Sequence, residues 1–333
     1  MVSAKIQSHF KTRPRKVKLN CHCCQSDEVK KSGSYQNKNR AVQRFFCLRC
    51  GKSFSESQPL DGLRTDFKQA AQVVHLLCEG MGIRAISRFT RLDQKTVLRI
   101  LENAGEHCAR LLDSKIRNVK SEFVQVDEMH SFVYSKPQNT ERGDPEHGEF
   151  YTYLSMDKDS KLIINWRTSK RDRENTFAFI QDLKSRMDGR FQLTSDAMSD
   201  YHRGTGAVAR VFGHEIDYAT ETKIYGRTKL NVSRYFNPLV VVGIKRQRKI
   251  GNADLTQATT CHLERLNLSV RLFTRRFTRK TLGYSKKLCN LRHAVAIFTA
   301  HFNFCRTHSA HGQTPAMAAG LTDHAWTIEE ILT

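Results

Sequence analysis

The sequence is short of acid. It sets 33 Asp and Glu against 55 Lys and Arg, a formal net charge of +22 over 333 residues. An excess of that size suits a polyanionic partner, and nucleic acid is the polyanion that fits best. Long apolar runs are missing as well. No stretch approaches the ~20 apolar residues of a membrane-spanning helix, so no membrane partner is expected. The opening "MVSAKIQSHFKTRPRK" is basic with no apolar segment behind it, which argues against a secretory signal. The ten cysteines make no disulfide framework. Four pair at short spacing, while Cys78, Cys108 and Cys289 stand alone, as in a reducing cytosol with a metal site. Low-complexity segments and internal repeats are absent. The expected location is cytoplasmic, with the nucleoid.

What is present is unevenly spread. Residues 1–60 carry thirteen Lys or Arg and three acids, and residues 264–292 carry nine and one, Glu264. In the first region "CHCC" at 21–24 and "CLRC" at 47–50 give two C-x-x-C pairs, Cys21 with Cys24 and Cys47 with Cys50. Each pair delivers two thiolates from one tight turn, and four thiolates satisfy tetrahedral Zn²⁺. Gly51 follows the second pair, where backbone must curl around a metal. Residues 1–60 therefore read as a zinc ribbon, with Cys23 as an alternative to Cys24 and His22 as a surface residue. So short a segment has little core, and structural zinc supplies roughly 10–16 kcal/mol of folding energy.

Residues 61–118 read as a helical DNA-binding region. "DFKQAAQVVHLLCEG" places Phe67, Ala70, Ala71, Val74 and Leu77 on one face and stops at Gly80. "GIRAISRFT" makes a short second helix, and Asp93 caps a third that turns Val97, Leu98 and Leu101 inward. Two short helices across a tight turn match a helix-turn-helix, with Gln94, Lys95, Thr96 and Arg99 toward the major groove.

From residue 119 to 300 the pattern is α/β, with 301–333 as a C-terminal tail. "FVQVDEMHSFVY" is a strand, "EFYTYLSMD" and "LIINWRTSK" a hairpin through Asp157–Lys161, and "RENTFAFIQDLKSRM" a helix with Phe177, Ile180, Leu183 and Met187 inward. "RFQLTSDAMSDY" is a strand ending on Asp196. Three strands, a helix, and a strand with an acid at its tip suggest a ribonuclease-H-like core. An acid inside a strand is tolerable when a divalent cation offsets its desolvation, which makes Asp127 and Asp196 candidate Mg²⁺ ligands. Strand alternation turns Glu128 to the opposite face, as a structural residue or a partner outside the ligand set. A third acid must come later, from Glu215, Asp217, Glu221, Asp254 or Glu264. Glu264 stands out, because on the helix that buries Leu263, Leu266, Val270 and Phe273 it shares a face with Asn267 and Arg271.

"TTCHLERLNLSVRLFTRRFTRKTLGYSKK" resembles the C-terminal part of insertion-sequence-one-type transposases, in which Glu, then Arg-x-Asn-Leu, then basic residues close a DDE triad. The matching residues are Glu264, Arg265, Asn267, Leu268 and Arg271, followed by the basic 279–287. "VDEMHSFV" resembles the family's Asp-Glu strand and "TSDAMSDY" its second Asp motif. The ribbon and helix-turn-helix occur in the family's order, so the resemblance covers most of the chain. One departure is the tract of 67 residues between Asp196 and Glu264, read as an insertion or added strands around 203–256.

The resemblance implies metal-dependent DNA cleavage and strand transfer at the ends of an insertion sequence. Asp127, Asp196 and Glu264 would hold two Mg²⁺ ions. Asn267, Arg271, Arg275 and Arg276 would contact phosphates. The partners would be terminal inverted repeats, target DNA and further copies of the chain. The alternatives are a DNA-binding regulator, including a domesticated transposase without required catalysis, and a different ribonuclease-H-like nuclease.

Overall fold

A computed structural model of the chain describes residues 21, 26–36, 41–55, 60, 63, 65–141, 143–202, 206–226 and 240–333. They fall into two units, Met1–Arg64 and Thr65–Thr333. In the first, β1 (Val29–Gln36), β2 (Ala41–Cys47) and β3 (Ser53–Ser55) pair antiparallel in that order. Phe45 and Phe54 stand opposite each other in register and stack at 5.9 Å. Val42 and Cys47 are buried, while β1 is almost wholly exposed. A core this small cannot offset chain entropy by apolar burial alone.

The second unit begins with three helices, α1 (Phe67–Cys78), α2 (Ile83–Thr90) and α3 (Gln94–Lys115). Asp66 caps α1 by accepting from the Lys68 amide at 3.1 Å, and Asp93 caps α3 from the Lys95 amide at 2.8 Å. The third helix is far longer than its capped start suggests. It buries Val97, Ile100, Leu101, Ala104, Cys108 and Leu112, and packs against a helix near the C-terminus, Leu288–Ala300.

A mixed six-stranded sheet follows, built from β4 (Phe123–Val133), β5 (Gly148–Asp157), β6 (Ile163–Ser169), β7 (Gln192–Asp196), β8 (Asp217–Gly226) and β9 (Val240–Ile250). The order is β6-β5-β4-β7-β8-β9. The pairs β4–β7 and β7–β8 are parallel, and the others antiparallel. The turn between β5 and β6 closes by the Lys161 amide donating to the Asp157 carbonyl at 3.0 Å. The tract read as an insertion is thus in part β8 and β9, continuous with the sheet.

Helices cover both faces. On one lies α4 (Arg173–Arg186), joining β6 to β7, with Phe179 against Tyr153 at 5.4 Å. Here the expected inward set is corrected: Phe179 is fully buried, whereas Phe177 is half-buried under Arg210. Two short helices, α5 (Ser199–His202) and α6 (Ala207–Phe212), connect β7 to β8. On the other face α7 (Cys261–Phe273) buries Leu263, Leu266 and Val270 against Met129, Leu154 and Ile163. Then come α8 (Leu288–Ala300), a π-helical turn (His301–Cys305), α9 (Pro315–Ala318) and α10 (Ile328–Ile331). Thr327 and Glu330 form a reciprocal capping box on α10. No helix among the described residues is long and apolar enough to cross a membrane.

The approach of α3 to α8 is set by Gly105. A Cβ there would lie 2.3 Å from the His293 Cβ and 2.6 Å from its Cα, which no rotamer change can relieve. Gly105→Ala gains up to about 1 kcal/mol of helix propensity, but forced overpacking costs about 1–3 kcal/mol and should win. Thermal denaturation should show a lower melting temperature for Gly105→Ala and a larger drop for Gly105→Val. Equal or higher melting temperatures would mean that the helices have room to spare.

Candidate active site

β4 and β7 run parallel and pair from Phe123↔Gln192 to Val126↔Ser195. The next residue on each strand is an aspartate, Asp127 and Asp196. β7 ends there. The Asp196 carboxylate accepts from the Met198 amide at 3.1 Å and turns the chain into α5. β4 runs on to Val133, paired only with β5 on its other side. The sheet therefore opens beside Asp127. Asp127 points to the α7 face, where the Asn267 Nδ2 donates to its Oδ2 at 2.8 Å. Glu128 points to the α4 face, where Tyr153 is its partner in register. Through the gap, one carboxylate oxygen from each of Asp127, Glu128 and Asp196 comes within 4.8 Å of the others.

Gathering like charges out of water raises their proton affinity. Burial first, then the neighbouring Asp196 and Glu264, push Asp127 up to about 7, against the opposing pull of the Asn267 amide. Burial and Asp196 push Glu128 up to about 8. Among the described residues the cation beside it is Arg171, whose Nη2 lies 3.7 Å from Oε2. The buried Tyr201 hydroxyl faces the Glu128 carboxylate and lowers its proton affinity in part, while Oδ1 of Asn267 is buried without a hydrogen-bond partner. Carboxylate oxygens gathered within 4.8 Å of one another are the donor set of a hard divalent cation. It fits Mg²⁺ and does not fit a thiolate-preferring metal.

The other expected site residues are distributed around this cluster. Glu264 sits on α7, one turn before Asn267, close enough for its charge to raise Asp127. Its Oε1 accepts from the Thr260 hydroxyl at 3.1 Å and pairs with Lys223. Glu221 is opposite Asp196 in register and buried, held by Arg246 at 3.1 Å and by the Thr260 amide at 3.2 Å. Glu215 pairs with Lys184, Asp217 with Arg190, and Asp254 caps its own loop at Thr256.

Two DNA-contact expectations need correction. Asn267 is buried and its amide is committed to Asp127, because the sheet presses this face of α7 inward. Arg276 is half-buried rather than exposed. Its Nε is buried without a partner, and burial brings its pKa down to about 10. Arg271 is half-buried beside Asp127 and Arg279, while Arg275 is exposed. At the start of α3, Gln94, Lys95 and Arg99 are exposed and Thr96 is half-buried. Glu128 is the residue that sequence reasoning left out of the cluster, because strand alternation cannot register where a neighbouring strand stops.

In the first unit Cys21, Cys47 and Cys50 converge, and Cys21 Sγ lies 3.6 Å from Cys50 Sγ. Tetrahedral Zn²⁺ with Zn–S bonds of about 2.3 Å holds its sulfurs ~3.8 Å apart, so the three thiols fit one zinc ion. The Gly51 amide donates to the Cys47 carbonyl at 3.0 Å, and Gly51 takes φ +70°, the left-handed turn that curls the knuckle. Cys23 and Cys24 lie outside the described residues.

These geometries carry two expectations. Purified protein should contain about one zinc per chain, and a strong chelator should remove it with loss of β structure in Met1–Arg64; protein that holds no zinc would refute this. At the carboxylate cluster the folded, metal-free chain holds protons that the unfolded chain releases. The window runs from the ordinary values of 3.8 and 4.5 to about 7 and about 8. Stability should therefore be highest below the window and fall as pH rises through it. Melting curves across that range should show the fall, and added Mg²⁺ should flatten it. An Asp127→Asn, Glu128→Gln double variant should show a shallower fall than the wild type without metal.

No protein-family model matches the chain, and no curated protein matches it. Among solved structures it is similar to a piggyBac transposase synaptic complex with hairpin DNA, at 10% identity and a TM-score of 0.35, over 83% of this chain and 71% of that one. It is also similar to the Mos1 strand transfer complex, at 13% identity and a TM-score of 0.21, over 48% of this chain and 60% of that one.

Proposed function

We propose that the chain is a DDE-type transposase that cuts and joins DNA strands by metal-dependent phosphoryl transfer. The observation that carries this reading is the convergence of Asp127, Glu128 and Asp196 within 4.8 Å where β7 leaves the sheet. The net charge of +22 supports a polyanionic substrate. In this reading the six-stranded sheet is a ribonuclease-H-like core. The first unit is a zinc ribbon, α1–α3 include a helix-turn-helix that reads terminal inverted repeats, and several copies assemble on DNA in the cytoplasm.

Asp127 and Asp196 are the ion-holding pair, and Glu264 completes the set from α7. Mg²⁺ held there would activate a water or a freed 3′-hydroxyl and neutralise charge developing on the phosphate. The protein's own share is positioning. Asn267 fixes the Asp127 carboxylate through its amide, Lys223 and Thr260 hold Glu264, and Arg171 keeps Glu128 from adding a full uncompensated charge. Arg271, whose charge is felt at Asp127, is near enough to neutralise a phosphate brought to that carboxylate.

The test is nicking and strand transfer on DNA carrying the element's own ends. Asp127→Asn, Asp196→Asn and Glu264→Gln should each abolish Mg²⁺-dependent nicking and leave DNA binding within about twofold, since the reading residues lie on α3. In this reading Glu128, which points to the α4 face, supports the cluster without being a required ligand, and Glu128→Gln should retain activity. Loss of activity with Glu128→Gln but not with Glu264→Gln would make Glu128 the third ligand. Nicking without strand transfer would favour a ribonuclease-H-like nuclease, and neither activity would leave a DNA-binding regulator.

A further inference from the structure

At the far end of β4 lies a cavity of about 900 Å³. Its wall includes three consecutive residues, His130, Ser131 and Phe132. Successive side chains leave a strand on opposite faces, so a cavity lined by consecutive residues borders the strand's edge. That matches the edge β7 leaves free after Val126. Another part of the wall is the segment 276–284, with Arg279, Lys280 and Tyr284; among the described residues no carboxylate lines the cavity, and the neighbouring Glu149 is paired with His130 at 3.0 Å. The segment is tied to β4 by the Tyr134 amide donating to the Ser285 carbonyl at 2.9 Å.

The chemistry of the walls is specific. Phe132 and Tyr284 meet at 4.6 Å, tilted by 42°, and Lys286 lies 3.6 Å from the Tyr284 ring centre. Tyr134 is 58% exposed and held at φ +64°, a left-handed backbone that a bulky side chain adopts only under constraint. On the rim Leu282 is 88% exposed, the most exposed large apolar side chain among the described residues. Aromatic faces stack on any base, cations meet its phosphate, and an apolar side chain at the rim can wedge into a base stack.

We propose that this cavity holds an unpaired nucleotide of the DNA strand that crosses the carboxylate cluster, with Leu282 as the wedge. The proposal rests on the reading of DNA as substrate. At roughly 3.4 Å per strand residue, Phe132 lies about 14 Å along β4 from Glu128, about four base steps at ~3.4 Å each. The occupant is therefore a nucleotide near the cleaved phosphate, not part of a distant repeat.

The experiment compares three DNA ligands by fluorescence anisotropy with the full chain. They are a blunt duplex, the same duplex with a short single-stranded extension, and that duplex with an abasic extension. The last carries the same phosphates without bases. The base-bearing extension should bind about tenfold more tightly than the abasic one. Leu282→Ala and Tyr284→Ala should each remove most of that preference; Leu282 is too exposed for its truncation to unfold the chain. Equal affinity for the two extensions, or a preference that survives both substitutions, overturns the proposal while leaving DNA binding intact. Failure to bind the blunt duplex as well overturns the functional reading on which it rests.

Discussion

Mutual repulsion among desolvated carboxylates is the constraint around which the Thr65–Thr333 unit is arranged. Acids brought to within 4.8 Å and away from water must take up protons or a cation, and the rise of Asp127 and Glu128 toward neutrality measures that need. The surrounding residues moderate it without removing it. Asn267 offers one amide hydrogen to Asp127, and Arg171 stands 3.7 Å from Glu128. The Tyr201 hydroxyl adds a further hydrogen bond to Glu128, yet burial and Asp196 still hold its proton affinity high.

The fold creates this situation by a difference in strand length. β7 stops at Asp196 while β4 continues to Val133, so two parallel strands that share a ladder part company at their aspartates. β8 continues the sheet beyond, and its Glu221, locked by Arg246 and the start of α7, anchors the helix that carries Glu264 and Asn267. The apolar side of α7, through Leu263, Leu266 and Val270, fixes the helix against Met129 and Leu154. Packing on one side of α7 thus decides where its polar side meets the cluster.

Charge follows a complementary plan. Acids concentrate at the cluster, whereas the segment 276–284 presents Arg279 and Lys280 to the cavity at the end of β4. In the proposed reading, a DNA strand laid along β4 would meet cations at one end and the carboxylate cluster at the other. Attraction over distance and chemistry at contact would then be assigned to different residues.

Local signals in the sequence determined much of this. The C-x-x-C pair at Cys47 and Cys50, the cap at Asp93, the hairpin after Asp157 and the strand ending on Asp196 are short-range patterns, and each is realised within a few residues. The parallel pairing of β4 with β7 set Asp127 beside Asp196 as their strand positions implied. Tertiary structure alone decided the membership of the cluster. Alternation assigned Glu128 to the other face, and it does point there, yet the end of the β7 ladder lets its carboxylate reach the pair. The resemblance placed Asn267 and Arg276 with DNA, whereas packing turned the first onto Asp127 and left the second half-buried. Periodicity records which side of an element is apolar; where a neighbouring strand stops, and what then fills the gap, depends on contacts between residues far apart in the chain.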